Sequence, residues 1–235
     1  MQFPFFAVVA ISVVAGTSAL ARDPSFVSAD QSHPLAILAA PPADDSEAAK
    51  MELAELHRLE DTRTPADAAQ ARWDDENEHI FIFKTVLGEK FNAEQLPGVA
   101  AFSKRVRNDE GINSNVAKDA FQRVRPYNFD KSLHPICATK TKNDSYPSGH
   151  ATSGYLLALS LIDMVPEKRD AILARAENYA HNRLICGVHY KSDVEASKLL
   201  AYSVHAIMQQ HAEYKLELVA ATNELRSALG LQPLK

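Results

Sequence analysis

Cysteine is nearly absent from this sequence: only Cys137 and Cys186 occur among its 235 residues. No C-x-x-C pair exists, which excludes a thioredoxin-like redox motif and a zinc site of that spacing. In an oxidising compartment a lone pair is most simply a disulfide; two buried free thiols are the other reading. Positive charge is also in deficit, with 25 Lys and Arg against 30 Asp and Glu, a formal charge of −5 and a pI near 6.0. That balance offers no global attraction to nucleic acid or anionic lipid, so any anion must be held by a local cluster of cations. Beyond residue 21 no apolar run reaches spanning length, and no stable membrane insertion of the mature chain is expected. Asn-Gly or Asp-Gly hairpin turns, internal repeats and long low-complexity tracts are missing too.

Residues 1–21, MQFPFFAVVAISVVAGTSALA, carry no charged side chain and end in A-x-A. This reads as a signal peptide cleaved before Arg22, which makes the mature protein periplasmic or secreted. The run lacks a basic n-region and is just long enough to span, so a retained N-terminal anchor is the competing reading. Residues 22–45 are rich in Pro, Ser and Asp and read as an extended arm. From 46 to 235 the pattern is helical. Helix starts are expected at Asp45 or Ser46 and at Thr64-Pro65. Further helices are expected to end on Gly88, to run from Pro97 to Arg125, from Ser148 to Met164, from Pro166 to Cys186, from Ser192 to Gln210 and from Ala212 to Leu229. The expected architecture is all-α, a compact single-domain multi-helix bundle.

Three short motifs stand out against this background. In KDAFQRVRP (118–126), Lys118 and Arg125 are seven apart, which places both on one face of a helix that Pro126 stops. Arg123 falls off that face and reads as structural. In PSGH (147–150), Ser148 is an N-cap, and the unpaired N–H groups of a helix start suit an anion. Gly149 allows close backbone approach, and His150 sits beside whatever the cap holds. A serine nucleophile is disfavoured because no G-x-S-x-G elbow is present. In NRLICGVHYKSD (182–193), Arg183 closes a helix and His189 precedes the next, with Asp193 four residues on. A carboxylate at that offset can fix the imidazole tautomer and leave the other nitrogen nucleophilic. A metal held by His150, His189 and Asp193 is the competing chemistry, opposed by three nearby cations. The other histidines (33, 57, 79, 134, 181, 205 and 211) have no such company in the sequence.

Lys118-x6-Arg125-Pro126, Pro147-Ser148-Gly149-His150 and Arg183-x5-His189-x3-Asp193 together resemble the tripartite signature of the type 2 phosphatidic acid phosphatase superfamily. The soluble bacterial class A nonspecific acid phosphatases are the most similar branch. APPADDSEAA, SYPSGHATSG and RLICGVHYKSDV resemble successive parts of those proteins. The resemblance implies a fold of the acid phosphatase/vanadium-dependent haloperoxidase type and vanadate-sensitive hydrolysis of small phosphate monoesters, with no cofactor or metal required. It implies Lys118, Arg125, Ser148, Gly149 and Arg183 as phosphate ligands, His189 as nucleophile, His150 as general acid and Asp193 as the partner orienting His189. Relatives are often homo-oligomeric, which leaves the oligomeric state open. Two positions depart from the pattern. Asn182 stands where Ser is usual, and altered geometry or substrate preference is expected from it. Asp144 stands where Gly is more common, with its carboxylate expected to face away. A vanadate-loaded haloperoxidase and an exported phosphate-binding protein without turnover are the rival readings.

Overall fold

The helices begin where small polar residues can accept their first free N–H groups. A computed structural model describes residues 23–234; the expected signal peptide, residues 1–21, lies outside them. Ser46 Oγ accepts from Ala49 N at 3.2 Å, and Thr64 and Asp67 cap each other's backbone at 3.2 and 2.9 Å. In chain order the helices are α1 (Ala29–Ser32), α2 (Pro34–Ile37), α3 (Glu47–Thr62), α4 (Pro65–Glu76), α5 (Lys84–Leu87), α6 (Pro97–Phe121), α7 (Pro126–Phe129), α8 (Gly149–Met164), α9 (Arg169–Ile185), α10 (Lys191–Met208) and α11 (Ala212–Leu229). Short 3-10 turns at Ile80–Phe83 and Pro166–Lys168 lead into α5 and α9. No strand occurs among the described residues. The all-α expectation holds.

α8 is the axis of the bundle. Every residue from Ala151 to Leu161 is buried, and α6, α9, α10 and α11 all pack against it. A helix apolar on all sides belongs in the centre, where each face meets a neighbour. Its start is stitched to the start of α10: Ser148 N donates to Asp193 O at 3.3 Å, and Ser197 Oγ donates to Ser148 O at 2.9 Å. Two helix N-termini therefore open side by side, each with a partial positive charge at its end.

Three segments differ from expectation. The arm is folded into α1 and α2, because Asp109 accepts from the N–H groups of Ser25, Phe26 and Val27 at 2.6, 2.8 and 2.8 Å, and Phe26 and Val27 are buried. The helix expected to reach Arg125 stops at Phe121. Gln122 turns left-handed at φ 45°, and Arg125 is extended, the conformation imposed by the following Pro126. Lys118 and Arg125 thus do not share a helix face. The segment ending at Gly88 is split between a 3-10 turn at Ile80–Phe83, whose Ile80, Ile82 and Phe83 are buried, and the short α5, which Gly88 closes as expected.

Cys137 and Cys186 are bridged. The bond ties the loop before α8 to the end of α9, beside an Ile136 N to Cys186 O hydrogen bond of 3.0 Å. Gly187 follows at φ 72°, with Pro135 Cα 3.4 Å from where a Cβ would stand. Only glycine fits that left-handed position without strain. Closing 49 residues of chain restricts the unfolded state by about 4 kcal/mol. The double variant Cys137→Ser/Cys186→Ser is expected to lose stability of that order, read as a lower denaturant midpoint with a steeper slope, because the released unfolded chain exposes more surface.

Candidate active site

The cavity at the mouth of α8 is about 800 Å³, and its wall includes Lys118, Arg125, Gly149, His150, Arg183 and His189. Six residues from three separate motifs therefore meet at one place. Lys118 comes from the last turn of α6, where its buried ammonium donates to the carbonyls of Asp144 at 2.8 Å and Pro147 at 2.5 Å. Arg125 reaches in from the extended link before α7. Its Nη1 donates to Val188 O at 3.1 Å and lies 3.2 Å from His189 Nε2. Arg183 arrives on the last turn of α9, held by Asp75 Oδ1 at 2.7 Å. Arg183 Nε is buried without a partner among the described residues.

Ser148 and Asp193 stand just behind this wall. Ser148 is fully buried as the N-cap of α8, and its Oγ accepts from Ala151 N at 3.4 Å. Asp193 lies at the third position of α10 and caps that helix by accepting from Tyr190 N at 2.9 Å. The same oxygen takes Ser145 Oγ at 2.6 Å and His189 Nδ1 at 3.2 Å. A carboxylate can only accept there, so Nδ1 carries the proton and Nε2 is the free nitrogen turned toward Arg125.

Residues 106–216, which contain all three motifs, match the PAP2 superfamily. The chain carries a PAP2 superfamily domain. It is 32% identical over 151 residues to the acid phosphatase of Zymomonas mobilis, an alignment covering 62% of this chain and 56% of that protein. It is 32% identical over 148 residues to the non-specific acid phosphatase of Providencia stuartii, covering 60% and 59%. With the non-specific acid phosphatase of Salmonella typhimurium it shares 32% over 156 residues, covering 64% and 62%. The chain thus spans less than two thirds of the length of these relatives. The solved transmembrane PAP2 type phosphatidylglycerolphosphate phosphatase of Bacillus subtilis shares the fold, with a TM-score of 0.53 at 16% identity over 71% of this chain and 87% of that one. No helix among the described residues of this chain is long and apolar enough to cross a membrane.

The electrostatics of the PAP2 domain's cavity favour a neutral His189. Burial, followed by the charges of Arg125, Arg183 and Lys118, pushes its imidazole well below the ordinary value. His150 is pushed down to about 4 by burial and Arg183, against the opposing pull of Glu78 and Asp75. Burial lowers Lys118 to about 8, with Glu110 opposing. Asp193 is raised by burial against the charge of Arg123 and the hydrogen bonds of Ser145 and the Tyr190 amide.

Several participants escaped the sequence reading. Arg123 is no bystander: it donates to Asp193 Oδ1 at 2.6 Å, to Ser192 Oγ at 2.7 Å and to Glu52 at 2.8 Å, and it stacks 3.9 Å over the Tyr190 ring. Asp144 does not face away; its Oδ1 accepts from Arg125 Nε at 2.7 Å. Asp75, Glu78 and Glu110 also line the cavity. Glu110 Oε1 lies 2.8 Å from where a Cβ on residue 149 would stand, so the glycine there makes room for a carboxylate. Asn182 is outside the cavity wall, and its amide donates to Asp74 Oδ2 at 2.6 Å in a buried cluster with Arg175. His57, His134 and His205 do have carboxylate company, in Asp130, Glu60 and Asp163, away from this wall.

Proposed function

We propose that this protein hydrolyses phosphate monoesters as an acid phosphatase, by double displacement through a phosphohistidine at His189 and without a metal. The observation carrying this reading is His189, with Nδ1 3.2 Å from Asp193 and Nε2 3.2 Å from Arg125, on a wall that also bears Lys118, Arg183 and His150. Lys118, Arg125 and Arg183 hold the equatorial phosphoryl oxygens, joined by the N-terminal N–H groups of α8 behind Ser148 and Gly149. Each charge-assisted bond contributes about 1.5–3 kcal/mol. His189 Nε2 attacks phosphorus, the ester P–O bond breaks, and His150 gives a proton to the departing oxygen. Water then attacks the phosphohistidine, His150 takes back a proton, and Nε2 leaves with its electron pair. Phosphoryl transfer asks mainly for such positioning and charge stabilisation. The disulfide fits an exported protein in an oxidising compartment.

Release of phosphate from p-nitrophenyl phosphate in the presence of EDTA tests the reading. Turnover that persists and is blocked by vanadate is the expected result. Tight phosphate binding with no release would make the protein a binder, and peroxide-dependent halide oxidation after vanadate loading would make it a haloperoxidase.

A pH dependence follows from His150. The free imidazole, near 4, is neutral at mildly acidic pH, and a bound phosphoryl dianion beside it raises that value. The general acid must be protonated, so kcat is expected to fall as pH rises through the raised value, with the limb lying above pH 4. His150→Asn is expected to lower kcat by about 10²–10⁴ and to remove the limb. A pH–rate profile at saturating substrate checks both.

A further inference from the structure

Two carboxylates sit on the guanidinium groups of this cavity, and they are held differently. Asp75 is engaged through both oxygens, Oδ1 by Arg183 at 2.7 Å and Oδ2 by Ala138 N at 3.0 Å, while its carbonyl lies 3.2 Å from His150 Nε2. It is part of the framework. Among the described residues, Arg125 alone bonds the Asp144 carboxylate, through Nε at 2.7 Å. The Asp144 carbonyl separately accepts from Lys118 at 2.8 Å, so this one residue touches two of the three cations. Its side chain lines the cavity. Burial pushes the carboxyl up, but Arg125, Lys118 and Lys140 outweigh burial and leave it below the ordinary aspartate range. The group is therefore ionised wherever a phosphatase of this kind would work.

We propose that Asp144 is an affinity-determining residue, a built-in counter-anion that neutralises Arg125 in the empty site and weakens the retention of phosphate. This rests on the phosphatase reading. An entering phosphoryl dianion must share Arg125 with a carboxylate of like charge, and the repulsion acts on substrate and on product phosphate alike. The consequence is weak product inhibition and a raised KM.

The charge can be removed without moving Arg125, because an Asn Oδ1 still accepts from Nε. Asp144→Asn is expected to lower the Ki of inorganic phosphate by about tenfold and to lower KM for p-nitrophenyl phosphate in the same direction, with kcat changing less. Asp144→Glu keeps the charge and is expected to keep the weak inhibition. A residue that merely positions Arg125 gives the opposite pattern: Asn would be neutral or would weaken phosphate binding, and either result overturns the proposal. Calorimetric titration with phosphate measures the same change without turnover, and Asp144→Ser removes the charge again should Asn disturb folding. Wild-type protein that neither hydrolyses p-nitrophenyl phosphate nor binds phosphate overturns the phosphatase reading itself. Wild-type binding with no tightening in either neutral variant overturns only the role of Asp144.

Discussion

His189→Ala is expected to abolish turnover and the trapped phosphoenzyme together, with kcat down by at least about 10⁴. The reason lies in the wiring of the ring. Asp193 takes Nδ1, so Nε2 is the one nucleophilic atom the imidazole offers. Burial and three neighbouring cations push its pKa well below the ordinary imidazole value, which favours the unprotonated ring and its free lone pair. Arg125 Nη1 stands 3.2 Å from that nitrogen, and on the phosphatase reading this donor would pass to a phosphoryl oxygen. His189→Asn preserves a donor toward Asp193 and separates loss of the nucleophile from loss of packing. Rapid acid-free quenching with labelled substrate should trap an acid-labile, base-stable phosphoryl group in the wild type and none in either variant. A label on serine, or full turnover in His189→Asn, would falsify the assignment.

What could be read from the sequence was whatever depends on neighbours along the chain. Ser148 and Thr64 cap helices because a hydroxyl three residues before a free N–H can reach it wherever the rest of the protein lies. The offset between His189 and Asp193 worked for a similar reason: capping α10 with Asp193 turns its carboxylate back toward the residue just outside the helix. The same local logic failed at Lys118 and Arg125. Seven residues of helical spacing predict a shared face, but the last three residues of that segment lie beyond a left-handed Gln122. The two cations still converge, but they do so because the backbone at 144–147 folds under Lys118, which no period in the sequence encodes.

The acids were illegible for a different reason. Asp75, Glu78 and Glu110 stand at the end of α4, just past it and within α6, and as isolated carboxylates on helical stretches they look like solvated surface. Only the fold sets them against Arg183, Arg107 and the Gly149 backbone. Arg123 is the extreme case. Its partner Glu52 is 71 positions away on α3 and Asp193 is 70 positions away on α10, so nothing nearby in the chain separates it from an exposed arginine.

That arginine carries the second large effect. Asp193 is fully buried, and burial already raises its carboxyl. Arg123, itself buried, is the cation that most strongly opposes this rise, at 2.6 Å from Oδ1. Arg123→Leu leaves Asp193 and Glu52 without that partner and is expected to cost about 3–5 kcal/mol of stability. Activity should fall for a separate reason: Asp193 then takes a proton at mildly acidic pH, and a neutral acid no longer stabilises the positive charge that develops on His189. The two losses respond oppositely to pH. Raising pH returns Asp193 to its ionised form, so kcat of the variant should climb where that of the wild type is flat or falling. Stability should move the other way. A group whose folded pKa lies above its unfolded value favours the fold only while protonated, and the variant weakens as pH rises through the unfolded and then the folded pKa. Arg123→Lys, which restores a cation, should recover part of both. A variant that loses stability yet keeps the wild-type kcat and pH profile would leave Arg123 as packing alone, with no hand in orienting His189.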